Sequence, residues 1–315
     1  MNAETVGVDI GGTKTAALRL SAGGDVLDRS VRPSNADEPE ESLRAVELAV
    51  ADVLGADVVA IGVAAAGLVD VRRGEILFSP NFAWRNVPLG ARLRERFGLS
   101  VTMDNDATAA AWGEVRLGAA RGARHALMIT IGTGIGGGIV FEGTVMRGAH
   151  GFAGEIGHIV VEPNGPRCGC GNRGCWEQVA SGQTLEREGI RALTSAPTSA
   201  IARQADGDPA RVTGELVVGA AVEGDPTAVD IVRAVALRLG EGIGGLVNAL
   251  DPEIVVVGGG IAAVGELLFA PAREAYAATV EGRPARPDVP IVPATLGNEA
   301  GAIGAGLLAL EAAAG

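Results

Sequence analysis

Residues 5–20 read TVGVDIGGTKTAALRL, and the fold class follows from them. Thr5–Ile10 alternates in the period of a strand, Gly11-Gly12-Thr13-Lys14 is a turn, and Thr15–Leu20 reads as the returning strand. A Gly-Gly turn then leads into a third strand, Val26–Arg32, so the chain opens as an antiparallel meander. This strand–turn–strand unit has a counterpart far along the chain. His125–Ile131 reads as a strand, Gly132–Gly138 as a glycine turn and Ile139–Phe141 as a strand again. Helices and further strands follow both units. The pattern predicts an α/β protein of two βββαβα-type halves around a cleft.

The rest of the chain supports that architecture. Leu43, Val46, Val50, Val53 and Leu54 fall at helical spacing within Pro39–Leu54. Val58–Val63 is a buried strand, and Leu89, Leu93 and Phe97 mark a short amphipathic helix. Val101–Met103 is a strand, and Ala107–Leu117 a helix directly after Asp104-Asn105-Asp106. A long helix spans roughly Pro226 to Ala249, the strand Ile254–Val257 ends in Gly258-Gly259-Gly260, and a helix closes the chain from Ala300. Ala192–Asp208, rich in Ala, Ser, Pro and Gly, reads as the mobile loop. The expected domains are 1–120, to which helix 300–315 returns, and a larger 121–299 that carries the cysteines.

Those cysteines are concentrated in one place. All three of the chain, Cys168, Cys170 and Cys175, lie in GEIGHIVVEPNGPRCGCGNRGCWE, residues 154–177, just after His158. Three thiolates and an imidazole are the ligand set of a closed tetrahedral Zn²⁺ site, structural because no position is left for water. Gly169, Gly171 and Gly174 let so short a loop turn around an ion. Glu155 and Glu177 bracket the segment, so a metal here also holds two carboxylates. The alternative is three buried free thiols, which clustering within eight residues disfavours.

A net charge of −12 argues against a broad nucleic-acid footprint. No apolar run is long enough for a membrane helix and no signal-peptide pattern is evident, so a cytoplasmic protein is expected, which suits thiols kept for a metal. The only lysine, Lys14, lies in the first glycine turn. That turn resembles a Walker loop but departs from it: Thr13 stands where Lys is required, and a strand follows where a helix should. It reads either as an ordinary hairpin turn or as one whose N–H groups, with Thr13 and Lys14, face phosphate, Asp9 beside them able to hold Mg²⁺. Gly132-Thr133-Gly134 opens a GxGxxG that likewise lacks the Rossmann helix and fits a second phosphate-facing hairpin. Gly258-Gly259-Gly260 either packs strand on helix tightly or admits a ligand close to backbone. Asp106, at a strand-to-helix junction, reads equally as a helix cap or as a general base.

Taken in order, VGVDIGGTK (6–14), PNFAW (80–84), DNDATAAAWGE (104–114), IGTGIGGGIV (131–140), GEIGH (154–158), CGCGNRGCWE (168–177) and VVGGGI (256–261) resemble the ROK family of sugar kinases and regulators. The resemblance spans nearly the whole chain and is greatest to the family's ATP-dependent glucokinases. It implies the actin-like ATPase (ribonuclease H-like) fold, phosphorylation of a hexose 6-hydroxyl, glucose first, by ATP with Mg²⁺ and a structural Zn²⁺, and a homodimer or homotetramer. It makes Asp106 the base, and Asn81, Asn105, Asp106, Glu155, His158 and Glu177 the sugar contacts. His158 then serves both sugar and metal. Nucleotide contacts fall on Asp9, Gly11, Gly12, Thr13, Lys14, Gly132, Thr133, Gly134, Gly258, Gly259 and Gly260. Thr108 and Ala83 depart from the family's usual Asn and Asp. The alternatives are a kinase for N-acetylglucosamine, N-acetylmannosamine, mannose or fructose, or a non-catalytic sugar sensor. A DNA-binding regulator is not expected, because the first hairpin begins at Gly7 with no room for a winged helix before it.

Overall fold

The structure, a computed structural model, describes residues 3–35, 38–79 and 82–314. Its first elements are strands β1 (Glu4–Ile10), β2 (Lys14–Leu20) and β3 (Val26–Pro33), helix α1 (Pro39–Val53) and strand β4 (Val58–Ala65). Three short strands follow, β5 (Leu68–Asp70), β6 (Glu75–Phe78) and β7 (Arg85–Val87), then α2 (Leu89–Phe97), β8 (Ser100–Asn105) and α3 (Asp106–Arg116). The second hairpin is β9 (Ala126–Ile131) with β10 (Ile135–Phe141), extended by β11 (Thr144–Val145). Helices α4 (Glu177–Ala180), α5 (Gly182–Ser195), α6 (Ala200–Gln204), α7 (Gly214–Val222) and α8 (Pro226–Leu250) come next. Strand β12 (Ile254–Gly258), helix α9 (Glu266–Thr279), strand β13 (Ile291–Pro293) and helix α10 (Ala300–Ala314) complete the chain.

Two five-stranded sheets have the orders β3-β2-β1-β4-β8 and β11-β10-β9-β12-β13, and β5-β6-β7 form a small third sheet. In the first sheet β1–β2 and β2–β3 are antiparallel, whereas β1–β4 and β4–β8 are parallel. The register sets Asp9 opposite Ala64 and Ala64 opposite Asp104, so the carboxyl ends of β1, β4 and β8 finish level. In open α/β sheets that edge is where ligands bind.

The chain divides into two compact units. One comprises residues up to Met128, Gly137–Gly154 and everything from Ala294; the other comprises Ile129–Gly136 and Glu155–Pro293. The chain crosses between them inside β9 and β10, so no single cut near residue 120 separates them. In the first unit Val6, Val8, Ile10, Val46, Val50, Ile61 and Val63 form the core between β1, β4 and α1. Helix α10 lies directly on strand backbone: a Cβ on Gly7 would come within 1.9 Å of Ala302 O, and one on Gly62 within 1.9 Å of Ala305 O.

Two expectations change. Strand β10 starts at Ile135 instead of Ile139, so Gly136-Gly137-Gly138 belongs to the strand. Glycine is needed there for packing as well as turning, since a Cβ on Gly138 would meet Ala107 O at 2.5 Å. Residues 192–208 are mostly helical: α5 runs on to Ser195, and Ser199 caps α6 by accepting from Ala202 N at 3.2 Å. Among the described residues, no helix is long and apolar enough to cross a membrane.

Candidate active site

In the first unit the β1–β2 turn is closed by Gly11 N donating to Lys14 O at 2.9 Å, and Thr13 and Lys14 stand exposed. Asp9 sits just below it on β1. Burial, and then the charge of Asp106, push the Asp9 carboxyl up to about 7, and Lys14 offsets only part of this. The same group packs on the first turn of α10, where a Cβ on Gly301 would lie 2.9 Å from Asp9 Oδ2. That neighbour was not foreseen; Gly301 lies in a stretch of small residues, AGAIGAG, that does not name its partner.

Asn105 is the cap of α3, and Asp106 is the first helical residue. The Asn105 side-chain oxygen accepts from Ala107 N at 2.9 Å and Thr108 N at 3.1 Å, and its amide donates to Gly67 O at 3.2 Å. The same amide also hydrogen-bonds the Asp106 carboxylate. The Asp106 Oδ1 accepts from Ala107 N at 2.9 Å, and part of the residue's surface stays open. Burial raises its pKa, and the hydrogen bonds of Ala107 N, its own backbone and Asn105 offset this only in part. Thr108 is buried in α3 and Ala83 is exposed. Asn81 lies outside the described residues.

In the second unit the Gly132–Gly134 turn is clamped by the start of α5. Ser181 Oγ donates to Thr133 O at 2.9 Å, Gly182 N to Gly132 O at 2.9 Å and Gln183 N to Thr133 O at 3.2 Å. Ser181 was likewise missed, since nothing in the local sequence ties it to a turn 48 residues earlier. Gly259 and Gly260 are exposed, and Gly259 presses so closely on β9 that a Cβ there would lie 2.3 Å from Ile131 O.

The ligand atoms of His158, Cys168, Cys170 and Cys175 all lie within 4.8 Å of one another. Cys168 and Cys175 are buried but Cys170 is exposed, which does not suit three core thiols. Glu155 immediately precedes the single turn Ile156–His158, and its side chain makes no capping bond there. His158 Nδ1 lies 3.6 Å from Cys168 Sγ and 3.6 Å from Glu177 Oε1, while Nε2 lies 3.8 Å from Glu155 Oε2. Nδ1 is therefore the nitrogen on the thiol side. Cys168 Sγ donates to Glu177 Oε1 at 3.0 Å, and burial together with that bond pushes the Cys168 thiol far up. Glu177 also abuts the glycine turn: a Cβ on Gly134 would come within 2.4 Å of Glu177 Oε2.

Twin hairpins on mixed sheets, with acidic residues at the strand ends, are those of the actin-like ATPase fold. The chain belongs to the ROK family, whose model matches residues 5–312. It is 41% identical over 310 residues to the glucokinase of Streptomyces coelicolor, covering 98% of each chain. It is 38% identical over 314 residues to the glucokinase of Halalkalibacterium halodurans, covering 96% of this chain and 94% of that one. Among solved structures it is similar to the ROK family glucokinase of Streptomyces griseus in complex with glucose and AMPPNP. There the TM-score is 0.89 and the identity 41%, over 98% of this chain and all of that one, 100%.

Proposed function

We propose that this chain phosphorylates the 6-hydroxyl of glucose with ATP, giving glucose 6-phosphate and ADP. The observation that carries the reading is Asp106: a carboxylate of raised proton affinity at a strand end, released from capping by Asn105. A base of raised pKa, still open to a ligand, suits removal of a hydroxyl proton. The acceptor and donor are those of the Streptomyces griseus relative, solved with glucose and the ATP analogue AMPPNP.

In this reading Asp106 orients the attacking hydroxyl and takes its proton as the oxygen bonds to the γ-phosphorus. Transfer through a loose transition state asks chiefly for positioning and for neutralised charge. Gly11, Gly12, Thr13 and Lys14 offer N–H groups, a hydroxyl and a cation to phosphate. Gly132, Gly134, Gly258, Gly259 and Gly260 offer backbone alone, and Thr133 adds a hydroxyl. Asp9 fits Mg²⁺, since a half-buried carboxylate driven upward by desolvation and by a second carboxylate gains from a nearby cation. Bound there, the metal supplies charge neutralisation to the phosphates.

In the first unit Asn81, Asn105 and Asp106 meet sugar hydroxyls. In the second unit Glu155, His158 and Glu177 hold sugar hydroxyls. Zn²⁺ fits His158 Nδ1, Cys168, Cys170 and Cys175, whose atoms already converge, and its role is structural, because four protein ligands fill a tetrahedron. That leaves His158 Nε2 for Glu155 and sugar. A cytoplasmic setting and a homodimer or homotetramer complete the proposal.

The test is ADP formation from ATP across a panel of glucose, mannose, fructose, N-acetylglucosamine and N-acetylmannosamine, with polyphosphate as the rival donor. Glucose should have the highest kcat/KM. A pocket that hydrogen-bonds the 2-hydroxyl leaves polar groups unpaired, or clashes, when an N-acetyl group replaces it. An N-acetylhexosamine that beats glucose overturns the acceptor, and absence of any phosphorylation overturns the activity.

A further inference from the structure

Asp104 stands two residues before the proposed base, and its carboxylate is almost wholly buried, with 4% of the side chain exposed. Its two oxygens do different work. Oδ2 accepts from Arg147 Nε at 2.8 Å and lies 2.7 Å from Nη2. Oδ1 accepts from the backbone N–H of Asn105 at 3.0 Å. Asn105 in turn caps α3 and anchors to Gly67 O, so a continuous run of hydrogen bonds leads from the Arg147 guanidinium to the backbone that carries Asp106. Arg147 opens a loop in which Gly148, Gly151 and Gly154 all take positive φ. The loop is pinned at its base by Ala153 N donating to Arg147 O at 3.1 Å.

We propose that Arg147 and Asp104 are positioning residues for phosphoryl transfer: the pair holds the Asn105–Asp106 peptide in the register that aims the Asp106 carboxylate. The proposal rests on the reading of Asp106 as base. Burying a carboxylate is unfavourable unless it is paired and hydrogen-bonded, so removing Arg147 leaves a charge that must take up a proton or move. Either change disturbs the acceptor of the Asn105 N–H. Asparagine at position 104 cannot substitute. Its single oxygen serves either Arg147 or the Asn105 N–H, and its NH₂ then meets a donor. A displacement of about 1 Å at a reacting group costs up to about 10²-fold in rate.

The experiment compares Asp104→Asn, Arg147→Met, Arg147→Lys and the double variant Asp104→Asn/Arg147→Met with the parent chain, by steady-state kinetics with glucose and ATP after thermal melts confirm folding. Each neutral variant should lower kcat by about 10- to 100-fold, with the glucose KM within about threefold. Arg147→Lys, which keeps the charge, should recover about tenfold over Arg147→Met. The double variant should be no slower than the slower single one, because both interrupt the same run of bonds. A kcat within about twofold of the parent in either neutral variant, losses that multiply in the double, or no rescue by lysine overturns the proposal. If both neutral variants fail to fold, the pair is a folding element and the positioning role falls. An inactive parent overturns the kinase reading and this inference with it; an active parent with unaffected variants overturns this inference alone.

Discussion

Gly11–Lys14 and Gly132–Gly134 both close a strand hairpin with glycine, and the two regions have little else in common. The first turn is tightened by one backbone bond, Gly11 N to Lys14 O, and set among charges: Lys14 beside it, Asp9 beneath, Asp106 acting on Asp9. The second carries no charge of its own. It is clamped from behind by Ser181, Gly182 and Gln183 and touches a carboxylate, Glu177, that also takes a hydrogen bond from Cys168. The same local element is thus set among charges in one unit and, in the other, is an uncharged turn against the cysteine knuckle. What distinguishes them is the neighbour that tertiary packing delivers.

The sharpest way to break this contrast is on the charged side. Asp106→Asn keeps the side chain's size and leaves the Asn105 cap in place, so fold and glucose binding should persist. Its kcat should fall by about 10²–10⁴. Calorimetry for glucose and initial rates check it; a near-normal rate would return Asp106 to a structural part at the head of α3.

The next effect falls on the knuckle. Elemental analysis should find about one zinc per chain. Cys170→Ser should lose that zinc and most activity together, with a raised glucose KM and a lower Tm, because the binding energy of a structural metal is folding energy. A zinc-free variant with unaltered glucose affinity would cut the link between the cysteines and the sugar-facing carboxylates.

Gly134→Ala tests where the two functions of the second unit meet. The added methyl must displace the Glu177 carboxylate or the turn itself. A rise of about 3- to 10-fold in glucose KM is expected, roughly the loss of one ordinary hydrogen bond. Gly132→Ala is the control, because a Cβ there meets nothing within 4 Å. Equal effects from the two would mean that the turn is merely intolerant of side chains.

The smallest effect is in pH. Asp9 rises from the ordinary 3.8 to about 7 in the folded chain. A folded value above the unfolded one means that the protonated form favours folding. This group's contribution is complete below about pH 4 and is lost as pH climbs through about 7. Metal-free protein should therefore lose a few degrees of Tm between about pH 5 and about pH 7.5, relative to Asp9→Asn. Added Mg²⁺ should reduce the difference. Parallel profiles for the two proteins would remove the charged character claimed for the first turn.

Much of this was legible from residue order alone. The paired hairpins, the helices after Pro39 and Asp106, and the glycine triplet after β12 all follow from short-range periodicity and turn chemistry. The convergence of His158 with three cysteines follows from a spacing too short to allow much else. Adjacent residues with equal local preference could not be told apart. Asn105 and Asp106 are both good caps. The choice was made by the β4–β8 register, which sets Asn105 opposite Ala65 and within reach of Gly67 O, so that Asn105 takes the cap and Asp106 the first helical position. The start of β10 was hidden for a related reason. Three glycines read as a turn, whereas they lie in β10, where the close approach of α3 leaves no room for a Cβ on Gly138. Gly301 on Asp9, Gly134 on Glu177 and Arg147 on Asp104 are pairings across tens to hundreds of residues. Local sequence determines what each segment can form; which distant segment lies against it depends on how the sheets and helices pack, and that packing decided which groups became charged, clamped or free.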